Sequence, residues 1–172
     1  MRRKHTEGFT LVELIIVIII LGILAALAIP QFTQSAEDAR IAALQSNLAV
    51  LRNAISLFYH QHNSVYPGAR KTDGSGTATA NAAEAATAFK AQLTQYTDAN
   101  GGTSTSIDRS TYPFGLYFLN GVPANPMSQM NTVKVLMDTD PIQESDIDGT
   151  TGWIFNINTG EIRANTAGFL SE

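Results

Sequence analysis

The chain has no cysteine. That excludes a disulfide framework and removes thiolates from any zinc site. His60 and His62 stand two apart, a spacing that does not place them on one helix face. No carboxylate cluster beside them completes a metal site, so they read as a polar helix end. Basic residues are in the minority, 11 Lys and Arg against 15 Asp and Glu, for a formal net charge of −4. An acidic balance argues against a strong nonspecific binder of DNA or anionic lipid. Serine and threonine are abundant, yet no nucleophile elbow is present. Gly74-Ser75-Gly76 lacks the Gly-Lys-Ser/Thr spacing of a phosphate loop. No enzyme is expected, and no cofactor is required.

What the chain does have is one long apolar run. From Phe9 to Ile29 almost every residue is apolar, which as a helix would be about 30 Å, one bilayer core. Arg2, Arg3 and Lys4 precede it and Glu13 interrupts it. A charge there costs about 2.5–3.5 kcal/mol on insertion scales, so Glu13 should have a partner. An ordinary secretory signal would explain the basic start, and Ala26-Leu27-Ala28 looks like its cleavage site. But such a signal has an apolar region of only about 7–15 residues. A plain signal anchor explains the length and gives Gly8, Phe9 and Glu13 no role.

The run Gly8-Phe9-Thr10-Leu11-Val12-Glu13 resembles the type IV prepilin leader and N-terminal helix, shared by type IV pilins and type II secretion pseudopilins. The resemblance implies cleavage of the Gly8–Phe9 bond by a prepilin peptidase and methylation of the new Phe9 amine. It implies that the Glu13 carboxylate pairs with the N-terminal amine of a neighbouring subunit as a filament assembles. Gly22 and Pro30 fall where these helices carry glycine and proline, and Pro30 should kink or loosen the helix. The implied division is a leader over 1–8, a transmembrane and assembly helix over 9–30, and a periplasmic or extracellular globular domain over 31–172. Loss of residues 1–8 removes three basic residues and Glu7, leaving 8 against 14, a formal −6. The basic leader keeps the N-terminus cytoplasmic and the domain outside the inner membrane. Many type IV pilins close a C-terminal loop with a disulfide, so the missing cysteines lean toward a pseudopilin, resembling the major pseudopilin.

The implied function is structural: a subunit of a helical pilus-like filament. Its implied partners are copies of itself, minor pseudopilins, and an inner-membrane platform with a cytoplasmic ATPase; nucleic acid is not among them. A type IV pilin for adhesion, motility or DNA uptake is the alternative. A membrane-anchored binding domain that never polymerises is a third reading, from another class.

The rest of the chain reads as α+β, a pilin-like fold with the long helix on a small antiparallel sheet. Ile41, Leu44, Leu48, Leu51, Ile55 and Phe58 recur at helical spacing as one apolar stripe. The helix should end near His60–Asn63, because Tyr66-Pro67-Gly68 cannot continue it. Residues 68–81 read as an exposed loop. Asn81 with Glu84 resembles a helix cap, and Phe89, Leu93 and Tyr96 would be the apolar stripe of the helix it opens. Residues 100–111 read as loop. Thr132–Met137, Gly152–Ile157 and Glu161–Ala164 are candidate strands, the last two joined by the turn Asn158-Thr159-Gly160. Trp153 and Phe155 read as core.

Asp138, Asp140, Glu144, Asp146 and Asp148 lie close together, followed by Gly149. Such an oxygen-rich loop suits calcium, and major pseudopilins as a family carry a calcium site in a C-terminal β-loop. The spacing does not fit an EF-hand, and a solvated acidic loop explains the same residues. Both readings stand at this point.

Overall fold

The structure is a computed structural model of the chain and describes residues 9–77, 81–138 and 140–169, with the side chains of 27–33 left out. Two compact units divide it, Met1–Ala39 and Arg40–Glu172. One helix, α1 (Leu11–Gln61), contributes to both.

Every large apolar residue from Phe9 to Leu24 is between 42% and 88% exposed. The helical backbone of α1 includes Pro30, whose ring removes one amide donor from the ladder.

In the second unit the expected stripe is core from Leu44 onward, while Ile41 is only half-buried. Leu44, Leu48, Leu51, Ile55 and Phe58 are buried, each contributing about 1.5–3 kcal/mol by leaving water. By length and composition Gln34–Gln61 could cross a membrane, but this stripe shows why it is apolar: it fills a core. Asn63 (φ 56°) and Ser64 (φ 60°) then turn left-handed and end the helix. Asn81 caps α2 (Ala82–Thr94), its side chain accepting from the Ala83 N–H at 2.9 Å. Glu84 turns instead toward Lys71, 3.9 Å away. Phe89 and Leu93 face the core, whereas Tyr96 falls past the helix end, in a short hairpin of β1 (Tyr96–Thr97) and β2 (Thr103–Ser104). That hairpin occupies part of the stretch expected to be loop.

The main sheet has the order β3 (Val133–Leu136), β4 (Trp153–Asn156), β5 (Ile162–Ala164). The Asn158-Thr159-Gly160 turn joins β4 and β5 antiparallel, as expected. β3, however, runs parallel to β4, so the sheet is mixed rather than antiparallel. The reason is the connection. Residues 137–152 carry the chain back past the sheet through a 3₁₀ turn at Glu144–Asp146, and parallel pairing needs a crossover of that kind. Central β4 is buried along its whole length, with Trp153 and Phe155 in the cluster that also holds the α1 stripe. The architecture is α+β and pilin-like, a long apolar helix packed against small sheets.

Candidate functional site

The start of α1 is built by two residues. The Thr10 N–H and hydroxyl both donate to Glu13 Oε2 at 2.9 Å, and the Glu13 N–H donates back to Thr10 Oγ1 at 3.2 Å. This is a reciprocal capping box, Thr-x-x-Glu at the N-cap and third helical position, of a kind worth about 1 kcal/mol. The signal was present in the sequence as Thr10-Leu11-Val12-Glu13. The cost of a carboxylate in an apolar run drew attention to Glu13 alone and hid its pairing with Thr10. Among the described residues both bonds fall on Oε2, so Oε1 can accept from a further donor. Around this carboxylate the helix is an open apolar surface, far larger than soluble monomers ordinarily expose. A Cβ at Gly22 would meet nothing within 4 Å, so the glycine is not enforced inside one subunit. Phe9 is exposed, Pro30 is known only as part of the helical backbone, and Gly8 lies outside the described residues.

The five acidic residues do not converge. Asp148 takes the Lys134 ammonium at 2.8 Å, with Thr150 and Asn165 donating to its other oxygen. Lys134 first, then these hydrogen bonds, hold its carboxyl well below the usual range. Asp146 caps its own turn through the Gln143 N–H at 2.8 Å. Asp138 accepts from the Asn156 amide at 2.9 Å, Asp140 offers that amide its main-chain carbonyl, and Glu144 is exposed. Among the described residues no three metal-ligating side chains form a group.

His62 departs from its reading as part of a polar helix end: it is 2% exposed. Its ring stacks on Phe58, centroids 3.7 Å apart. Nδ1 lies 2.8 Å from the Phe58 carbonyl, which can only accept, so Nδ1 carries the proton. Nε2 therefore accepts from the Thr97 hydroxyl at 3.0 Å. Only the tertiary fold places Thr97 there, so no local pattern announces this histidine.

Residues 3–29 match the family of the prokaryotic N-terminal methylation motif. The chain is 34% identical over 71 residues to the type II secretion system core protein G of Pseudomonas aeruginosa, covering 41% of this chain and 49% of that protein. It is 42% identical over 65 residues to the core protein G of Vibrio cholerae, covering 38% and 43%. It is 42% identical over 53 residues to the type IV narrow pilus major component PilA5 of Thermus thermophilus, covering 31% and 46%. The chain thus spans less than half the length of each of these relatives. No solved structure matches it. The chain carries the N-methylation motif and has relatives among the secretion core G proteins and the type IV pilins. The exposed apolar stretch of the helix is consistent with an inner-membrane anchor.

Proposed function

We propose that this chain is the structural subunit of a helical pilus-like filament, of the type II secretion pseudopilin kind. One observation carries the reading: an N-methylation motif opens a helix whose large apolar residues from Phe9 to Leu24 are all exposed, while the one carboxylate of that stretch, Glu13, sits at the first turn. Cleavage between Gly8 and Phe9 frees an amine, and methylation keeps that amine cationic. The Glu13 Oε1 edge then accepts the Phe9 ammonium of an adjacent subunit, while Oε2 keeps its bonds to Thr10. Pairing of this kind makes a charge tolerable in an apolar surround.

The subunit waits in the inner membrane with its N-terminus cytoplasmic and its domain on the far side. In the filament, neighbouring helices replace lipid around Phe9–Leu24, an exchange close to neutral in hydrophobic terms. Work from a cytoplasmic ATPase therefore drives assembly. The similarity to a Thermus thermophilus pilus component supports a type IV pilin as the second reading.

Intact mass and N-terminal sequencing of the mature protein test the processing step. The expected terminus is N-methylated Phe9; a terminus at Ile29 would show an ordinary signal peptide instead. Glu13→Leu should still be processed but yield few sheared filaments, and normal yield would show that the charge is not used this way.

A further inference from the structure

Among its described residues the Arg40–Glu172 unit leaves four large apolar side chains well exposed: Val50 (48%), Leu57 (51%), Ile107 (73%) and Leu119 (81%). Three of them border one groove. Val50 and Leu57, two helical turns apart on α1, form one wall with Ala54, and Tyr117 and Phe118 form the other. The groove holds about 350 Å³ here and continues past Val50 along Leu119. No charged side chain lines either stretch. The far wall is fixed in place. Tyr117 donates to Gln61 Oε1 at 2.6 Å, and at Gly115 (φ +87°) a Cβ would clash with the Gln95 carbonyl.

Ile107 does not line this groove. It stands on a loop held by its own hydrogen bonds: Ser106 N–H to Ser104 Oγ at 3.1 Å, Ser110 hydroxyl to Asp108 at 2.6 Å, and Tyr112 N–H to the Asp108 carbonyl at 2.7 Å. An apolar side chain on a pre-ordered loop loses little further freedom when it docks.

We propose that the groove receives Ile107 of a second copy of this chain. The inference rests on the filament reading. Two observations point to a copy rather than another partner. The mature chain carries a formal −6, so copies repel each other, and contact is least opposed where neither surface is charged. The groove meets that condition, and Ile107 is followed by one acid and one base, Asp108 and Arg109, which cancel. The groove wall also belongs to α1, the helix whose first turns the filament reading buries among copies. Knob and groove are different patches of one chain, and in the filament their contact is head-to-tail, the kind that propagates as an open helix where its rotation does not close.

The chain's lack of cysteine makes the test direct. Two full-length copies with different tags, one Ile107→Cys and one Leu57→Cys, are co-expressed and mildly oxidised. A disulfide-linked mixed dimer is expected in sheared filaments, with none from either variant alone. Ile107→Asp should lower filament yield by about tenfold or more at unchanged subunit level, as loss of a central apolar anchor does; Ile107→Val should restore it. Ile107 is exposed, so the variants should fold; an unchanged melting curve checks this. Filaments that form without the crosslink, or at full yield from Ile107→Asp, overturn this contact and leave the filament reading intact. Absence of filaments from the unmodified chain overturns both.

Discussion

Acid should loosen this domain through His62, and the size of the effect can be bounded. Neutral His62 satisfies Phe58 and Thr97 with one proton, on Nδ1. A second proton would force Nε2 to donate, so the Thr97 hydroxyl would have to turn away, toward Tyr117. Tyr117 is itself held neutral, its hydroxyl pushed up to about 12 chiefly by burial. Burial pushes His62 below its ordinary value. The Phe58 carbonyl and the Asp98 carboxylate oppose that shift, and the Arg70 guanidinium adds to it. Because the folded value is depressed, the unfolded chain binds the proton first. The stability is therefore fully present above about pH 6.5 and is lost as pH falls from there toward the folded value. Within that window the slope for one group is at most about 1.4 kcal/mol per pH unit. For a domain of this size each kcal/mol moves Tm by roughly 2–6 °C. His62→Phe keeps a ring against Phe58, loses two hydrogen bonds, and should cost about 2 kcal/mol at pH 7.5. Its melting temperature should then fall less between pH 7.5 and pH 5 than that of the wild type. The remaining histidines, His5 and His60, are common to both proteins, so the difference isolates His62. Parallel Tm curves across that range would refute the reasoning.

Gly160 has φ +74°, and a Cβ there would run into the Tyr66 ring, so Gly160→Ala should cost about 2–4 kcal/mol in denaturant unfolding. Buried Asn125 donates to the Gly152 carbonyl at 2.7 Å and to Thr166, and accepts from the Met127 N–H at 2.9 Å. Asn125→Ala strands these groups and should cost about 2–4 kcal/mol, with faster amide exchange at Met127. Calcium should leave the melting curve where chelator leaves it, since Asp148 is taken by Lys134 and among the described residues no three metal-ligating side chains form a group. A rise with Ca²⁺ that disappears in Asp146→Ala/Asp148→Ala would mean the loop rearranges around an ion.

Local periodicity explains why much of this fold was legible. The α1 stripe needs only its 3–4 spacing, the β4–β5 turn only Asn158-Thr159-Gly160, and the α2 start only Asn81. The cap at Thr10 is just as local, in Thr10-Leu11-Val12-Glu13, but the cost of a charge in an apolar run accounts for Glu13 without it. Other features depend on distant parts of the chain. The parallel pairing of β3 with β4 is set by where residues 137–152 return the chain, and hydrophobic alternation is blind to strand direction. The dispersal of the five acids depends on Lys134, Asn156 and Asn165, which sequence spacing alone does not bring to them. The groove beside Val50 and Leu57 exists because Gly115 allows the chain to pass close to the Gln95 carbonyl.

The order of elements along the chain matters during synthesis. The α1 stripe is complete once Phe58 has been made, but β4, whose Trp153 and Phe155 share its core cluster, begins only at Trp153. Ribosomes add about 5–20 residues per second, so this stripe stays without its sheet for roughly 5–20 s in every nascent chain. No earlier part of the sheet can shield it, because β3, β4 and β5 all lie in the last third of the sequence. Throughout that interval the nascent chain presents the apolar length from Phe9 to Leu24 together with a stripe that still lacks its sheet. Any factor that binds exposed apolar segments therefore has its longest opportunity on this chain before its final forty residues appear.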